Sequence, residues 1–226
     1  MQDFVAAVRY SNRLPNVETG KTSSRGPYER FGKRILDIVV VLMSAPIVIL
    51  LLLPIIALIT RDGGSPFYTQ SRLGRGGRVY RMWKLRSMVV DADKKLDAYL
   101  ATNPEAKAEW DLTQKLKKDP RITKVGHLIR KTSLDELPQL WNVLVGDMSL
   151  VGPRPMMVSQ KALYPSQDYY EMRPGITGAW QVSARNESTF EERATYDTQY
   201  RNDLTAKTDA VILLKTVGVV LKATGH

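Results

Sequence analysis

The chain has 226 residues and a formal net charge of +10 at neutral pH, and this charge predicts a partner that carries negative charge. It contains no cysteine, which excludes disulfides, thiolate metal sites and a cysteine nucleophile. With only two histidines, His127 and His226, a three-histidine zinc site is excluded and a Ser-His-Asp triad is disfavoured, so chemistry is expected from carboxylates, cations and a hard metal ion.

Residues 1–30 are polar and lack periodicity, so they are predicted to be a flexible N-terminal segment. Residues 35–59 then form an apolar run long enough to cross a bilayer as a helix. Basic residues flank both ends of the run, which places both ends on the cytoplasmic side. Pro46 and Pro54 each remove a backbone donor and break helix geometry. We therefore predict a monotopic protein whose residues 31–62 form a re-entrant helix-break-helix. A single kinked transmembrane helix is the alternative.

Residues 63–204 are predicted to form a small cytosolic domain with short strands. Two extended segments, 67–70 and 79–86, are separated by glycine-rich turns. Lys84 and Arg86 are expected on one face of the second strand, where they grip a phosphate or, alternatively, only keep an edge strand solvated.

Two helical segments complete the predicted elements. Residues 91–117 favour helix, with an interruption at Asn103-Pro104 where a second helix begins. Residues 205–226 are predicted to hold an amphipathic helix, which lies on the membrane surface or packs on the domain core. The fold class is therefore α+β, mostly helical.

Adjacent acids, Asp135 and Glu136, lie in the segment 132–142. Ser133 and Glu136 have the spacing of a capping box, which predicts that both acids lie at a helix N-terminus. Acids favour such positions for stability alone. The same free amides and nearby cations also bind phosphate, so one acid can attack phosphorus while the other holds Mg²⁺.

Several cations are candidates for phosphate binding. Arg154 lies between Pro153 and Pro155, and this stiff backbone makes it either a preorganised anion clamp or part of a rigid surface turn. The loop 173–178 and the pair 185–186 add three further candidates: Arg173, Arg185 and Asn186.

Five stretches together resemble one family. They are KRILD (33–37), FYTQSRLGRGGRVYRMWKLRSM (67–88), DPRITKVGHLIRKTSLDELPQLWNVLVGDMSLVGPRP (119–155), RPGITGAWQVSARN (173–186) and YDTQY (196–200). The chain resembles bacterial sugar transferases of the small monotopic phosphoglycosyl transferase family, also called polyprenyl-phosphate hexose-1-phosphate transferases. The segment 91–118 is similar to that of members that initiate exopolysaccharide or O-antigen synthesis with galactose or glucose phosphate.

The resemblance implies a catalytic domain on the cytoplasmic face of the bacterial inner membrane, a UDP-sugar donor and a polyprenyl phosphate acceptor. It implies that Asp135 is the nucleophile and that Glu136 is a ligand of Mg²⁺. It also places Lys84, Arg130 and Arg154 near the phosphates or the nucleotide, whereas Arg173, Arg185 and Asn186 lie in matching motifs without an assigned role.

A different class of function is left open by the residues themselves. A membrane-anchored scaffold or lipid-binding protein explains the basic surface and the apolar run equally well. It does not explain acids embedded among cations. The expected partners include inner-membrane lipids and, for an enzyme, its two substrates. A second copy of the chain is left open, and no nucleic-acid motif is present.

Overall fold

A computed structural model describes residues 26–113, 116–183, 189–190 and 192–221. Within these ranges the protein is mostly helical, with two small sheets. The helices are α1 (Lys33–Ile59), α2 (Ala92–Thr102), α3 (Pro104–Thr113), α4 (Lys124–Lys131), α5 (Gln139–Val145), α6 (Asp168–Glu171), α7 (Ala179–Ser183), α8 (Glu192–Asn202) and α9 (Ala206–Leu221). The strands are β1 (Phe67–Leu73), β2 (Val79–Leu85), β3 (Ser149–Val151), β4 (Met156–Met157) and β5 (Gly175–Thr177).

Helix α1 is the one helix in the described part of the chain that is long and apolar enough to cross a membrane. Most of its middle is exposed, including Met43, Ile47 and Leu50. The helix continues through Pro46 and Pro54. The prediction of two helices separated by a break is therefore corrected to one continuous helix, because each proline removes a single hydrogen bond and the neighbouring turns keep theirs.

Both ends of α1 contact the same domain. Near its N-terminus, the guanidinium of Arg34 donates to the carbonyl of Leu144 at the end of α5, at 2.8 Å. At its C-terminus, Ile59 packs with Leu85 and Ile129. The guanidinium of Arg86 also donates to the carbonyl of Ile59, at 3.0 Å. The apolar middle of α1 therefore lies between two anchored ends.

The domain is built on an antiparallel sheet of order β2-β1-β4 and a parallel pair, β3-β5. Strands β1 and β2 pair over their whole length, from Phe67 opposite Leu85 to Leu73 opposite Val79. The main core joins β2, α5 and β3 to α9, whose Ile212 is buried there. Helix α9 thus packs on the domain core along one face, while Leu214 on its other face is exposed.

Asp37 is a buried hydrogen-bond acceptor that holds α1 against β3. One of its carboxylate oxygens accepts from the hydroxyl of Ser149 at 3.0 Å and from the backbone N–H of Leu150 at 2.9 Å. Asp37 is 2 % exposed, so water cannot replace these bonds. The contact therefore fixes the start of the apolar helix to the centre of the domain.

Replacing Asp37 with leucine is expected to lower the free energy of unfolding by about 2 kcal/mol or more, because two buried donors lose their acceptor. Thermal unfolding of the purified chain in detergent measures this. Asp97→Asn, an exposed acid on α2, is the matched control and should leave the unfolding temperature unchanged. Equal unfolding temperatures for the two variants would show that the contact does not stabilise the fold.

Candidate functional site

The two predicted catalytic acids lie on a short 3₁₀ turn, Leu134–Glu136, and not at the start of an α-helix. Ser133 has a φ of 57° and its side chain makes no capping hydrogen bond, whereas an N-cap requires extended backbone. Helix α5 begins only at Gln139. The capping-box prediction is therefore wrong: Ser133 reverses the chain after α4 and presents the acids on the turn that follows.

Lys84 of β2 reaches both acids. Its ammonium lies 2.8 Å from a carboxylate oxygen of Glu136 and 3.7 Å from one of Asp135. Asp135 is buried, while the side chain of Glu136 is 34 % exposed. The structure thus brings Lys84 to a pair of adjacent acids that lie about fifty residues further along the chain, one of them buried and the other partly exposed.

The surroundings of Asp135 have opposing effects on the pKa of its carboxyl. Burial raises the pKa of the carboxyl above its ordinary value, and the neighbouring Glu136 also raises it. The positive charges of Lys84 and Arg130 oppose this shift and favour the ionised form. The result is a poorly hydrated carboxyl beside two cations, an arrangement suited to a nucleophile that meets a phosphate.

Asn142 fixes α5 to the strand that carries Lys84, a role that no local sequence pattern indicates. Its side-chain oxygen accepts from the backbone N–H of Trp83 at 3.0 Å, and its amide donates to the carbonyl of Arg81 at 2.8 Å. The residue is 1 % exposed. By bonding the backbone on both sides of Met82, Asn142 sets the distance between β2 and the turn that holds the acids.

A cleft opens beside Glu136, lined also by Gln139, Arg154, Ile176 and Gln181. Arg154 is exposed, and its guanidinium lies over the ring of Trp180, 5.6 Å from the centroid. The side chain of Arg154 therefore shares a cleft with one of the acids, as expected of a group that clamps an anion there.

The loop that carries Arg154 is held by close backbone packing. A Cβ at Gly152 would lie 2.3 Å from the carbonyl oxygen of Arg173, so only glycine fits. The N–H of Gly152 donates to Thr177 at 2.9 Å, and the N–H of Gly175 donates to Pro153 at 2.8 Å. Two neighbouring loops thus fix the backbone on which Arg154 stands.

Other predicted site residues lie elsewhere. Arg86 bonds Asp62 at 2.5 Å and holds the pKa of that carboxyl at about 2, so its contacts anchor the end of α1. Arg173 donates to the carbonyl of Gly146 at 2.8 Å, at the far end of α5 from the acids. Arg185 and Asn186 lie outside the described residues.

A magnesium ion would have few protein ligands here. No cluster of three or more Asp, Glu, His or Cys side chains that could hold a metal occurs among the described residues. Mg²⁺ is commonly bound by one or two carboxylates, with phosphate oxygens and water completing the shell. The pair of acids fits that donor set. Because the ammonium of Lys84 already lies beside Glu136, an ion there would have to share or displace this contact.

These features define a class of protein: an α+β domain anchored to an apolar helix, with paired carboxylates beside a lysine and an arginine in the cleft that one of the carboxylates lines. The profile of the bacterial sugar transferase family matches residues 28–223, so the chain belongs to that family. The resemblance read from the sequence motifs is thereby confirmed.

Several curated relatives are similar to most of the chain. A UDP-galactose-lipid carrier transferase of Erwinia amylovora is 48% identical over 98% of this chain and 45% of its own length. An undecaprenyl-phosphate galactose phosphotransferase of Salmonella typhimurium is 48% identical over 87% of this chain and 42% of its own length. The exopolysaccharide production protein ExoY of Rhizobium meliloti is 40% identical over 91% of this chain and 92% of its own length. The chain thus spans less than half of the first two relatives and nearly all of the third.

Proposed function

We propose that the protein transfers a hexose-1-phosphate from a UDP-sugar to a polyprenyl phosphate, giving a polyprenyl-diphosphate-sugar and UMP. The observation that carries this proposal is the buried Asp135 beside Glu136, with the ammonium of Lys84 in reach of both. The names of the relatives support it, since they include a galactose phosphotransferase that uses undecaprenyl phosphate. This would be the first membrane step of exopolysaccharide, O-antigen or capsule synthesis.

The proposed reaction has two steps. In the first, a carboxylate oxygen of Asp135 attacks the phosphorus that bears the sugar, and the bond to the UMP oxygen breaks, so UMP leaves with the bonding electrons. In the second, an oxygen of the polyprenyl phosphate attacks the same phosphorus, and the aspartyl oxygen leaves as a carboxylate. Burial of Asp135 suits this role, because a poorly hydrated carboxylate is a better nucleophile.

The surrounding residues would bind and neutralise the phosphates. The positive charges of Lys84 and Arg130 favour the ionised form of Asp135 against the burial that raises its pKa, and Arg154 offers a guanidinium to phosphate oxygens in the cleft. Glu136 would hold Mg²⁺, which neutralises charge on the diphosphate when it is bound. None of these groups needs to act as an acid or base, since the attacking and leaving oxygens carry no proton.

The proposed topology is re-entrant, with the domain on the cytoplasmic face of the bacterial inner membrane. Its support is that Arg34 and Ile59, near opposite ends of α1, both contact the same domain, whereas the apolar middle is exposed. Pro46 and Pro54 supply sites where the continuous helix can bend. Such a path delivers a membrane-bound acceptor and a water-soluble donor to one site.

The test is UMP release from purified protein in nanodiscs, given Mg²⁺, undecaprenyl phosphate and a panel of UDP-sugars. Release with one sugar, dependent on the acceptor for multiple turnovers, is the expected result and identifies the donor. If the protein releases no UMP with any sugar of the panel, while the lipid-bound fold is intact, the scaffold function replaces the proposed one.

Lys84→Met is expected to reduce turnover on the order of 100-fold, because a preorganised cation at the reacting phosphate is lost. The rate of UMP release measures this loss. Lys95→Met removes the same charge from an exposed position on α2 and is the matched control. If both variants turn over at the same rate, the contacts of Lys84 with the acids are structural only.

A further inference from the structure

A second charged cavity, of about 360 Å³, opens beside the start of α1. It is lined by five cations: Arg30, Lys33, Arg34, Arg75 and Arg173. It is separate from the cleft of the acids. Asp135 and Glu136 precede α5, while Arg173 bonds Gly146 just after α5. The seven residues of this helix span about 10 Å, so the length of α5 separates the two sites.

The acids near this cavity leave most of its positive charge unmatched. Lys33 is paired with Asp209 at 2.6 Å. Glu29 and Glu171 both contact Arg201, at 3.4 and 3.0 Å. Asp37 accepts hydrogen bonds from β3, and its charge also acts on Lys33, Arg34 and Arg173 without forming an ion pair. Within the described residues, no ion pair closer than 4.0 Å joins a carboxylate to any of the four arginines of the cavity.

Two of these arginines are fixed in place with donors to spare. Arg34 donates to the carbonyls of Val143 and Leu144, and Arg173 donates through Nε to Gly146, so both cap the C-terminus of α5. The terminal nitrogens of Arg173 donate to no described residue, and neither does the side chain of Arg75. Burial lowers the pKa of Arg173, and repulsion from Arg34 and Arg75 lowers it further. Capping explains two arginines, but it does not explain Arg75.

The position of the cavity identifies the kind of anion. Phe31 lines it and is 69% exposed, and Ile35 on the next turn is 61% exposed. The apolar run begins at that turn, so the cavity lies where the chain meets the lipid headgroups. Arginines at this depth bind phosphate through paired N–H groups.

We propose that this cavity binds the phosphate headgroup of an anionic glycerophospholipid from the surrounding leaflet. The lipid phosphate sits among Arg34, Arg75 and Arg173, and its acyl chains lie along Phe31 and the first turns of α1. The cavity is too far from Asp135 for this phosphate to take part in transfer. Its role is to anchor the domain at a fixed depth, and it is independent of the proposed reaction.

The experiment places the full chain in nanodiscs of mixed phosphatidylglycerol and phosphatidylcholine and then extracts it in mild detergent. Mass spectrometry counts the lipids that stay bound. We expect the wild type to retain phosphatidylglycerol preferentially and Arg75→Gln to retain it about tenfold less. Arg78→Gln, an exposed arginine three residues on and outside the cavity, is the matched control and should retain lipid as the wild type does.

Three results would overturn the proposal. If Arg75→Gln and Arg78→Gln retained equal amounts of phosphatidylglycerol, the retention would be nonspecific attraction of the lipid to a basic surface. Preferential retention of undecaprenyl phosphate from a doped nanodisc would make the cavity an acceptor site. The third result combines two observations: inorganic diphosphate stabilises the lipid-free wild type but not Arg75→Gln against thermal unfolding, and the nanodiscs show no lipid preference. The cavity would then be a site for a soluble anion. Arg75 is exposed and makes no described side-chain hydrogen bond, so its replacement leaves the fold intact.

Discussion

Replacing Asp135 with asparagine is expected to lower UMP release by at least about a thousandfold, because an amide has no anionic oxygen that can attack phosphorus. The fold should survive. Asparagine has nearly the same shape, and Lys84 keeps its 2.8 Å contact with Glu136. The measurement pairs UMP release with thermal unfolding of the same preparation. Asp97→Asn, the exposed control on α2, should match the wild type in both.

Intact-protein mass spectrometry gives the same variant a second readout. Mixed with the correct UDP-sugar but no acceptor, the wild type should gain the mass of one hexose phosphate, and Asp135→Asn should gain none. A variant that keeps most of its turnover would contradict the assignment of Asp135 as nucleophile. If Asp135→Asn lost its turnover but still formed the adduct, a residue other than Asp135 would be the one that is modified.

Local sequence patterns predicted the first two strands and the first two helices of the domain. The expected strands 67–70 and 79–86 correspond to β1 and β2, which extend over Phe67–Leu73 and Val79–Leu85. The helical interruption at Asn103-Pro104 separates α2 from α3 as expected. These features depend on turn glycines, prolines and short-range periodicity, all of which a single sequence displays.

The predicted site was less complete, because its contacts are long-range. The sequence indicated Asp135, Glu136 and Lys84 as candidates, but their 2.8 and 3.7 Å contacts depend on the docking of α5 against β2. Asn142 sets that docking through its hydrogen bonds to β2. No local pattern distinguishes it from other uncharged polar residues in helices. Long-range contacts of this kind leave no local periodicity or capping signal.

One interpretation failed for a physical reason. Ser133 matched a capping box by spacing alone, yet its left-handed backbone ends one helix instead of starting another. Arg154 and Arg173 are both candidates for phosphate binding, Arg154 because of the stiff backbone between two prolines and Arg173 as a cation in a glycine-containing loop. The structure places Arg154 in the cleft with Glu136 and Arg173 at the opposite end of α5. Charge type was readable from the sequence, but the cavity that each cation faces was not.

Replacing Glu136 with glutamine is expected to cut the rate about a hundredfold and to raise the Mg²⁺ concentration needed for half-maximal UMP release. A neutral amide is a much weaker ligand for a hard cation than a carboxylate. The measurement is a Mg²⁺ titration of the initial rate. Glu105→Gln removes an exposed acid from α3 and should leave the titration unchanged.

The choice of Glu136 over Asp135 as the metal ligand follows from exposure. Glu136 lines the cleft with Arg154, where diphosphate oxygens can complete a metal shell, whereas Asp135 is more buried and its charge is needed for attack. An unchanged Mg²⁺ titration for Glu136→Gln would contradict this division of roles. The ammonium of Lys84 competes for the same carboxylate, so Lys84→Met should bring half-maximal activity to a lower Mg²⁺ concentration even as it slows the reaction. The Mg²⁺ concentration for half-maximal activity should thus shift in opposite directions in Glu136→Gln and Lys84→Met. A Glu136 with only a structural role would not produce these opposite shifts.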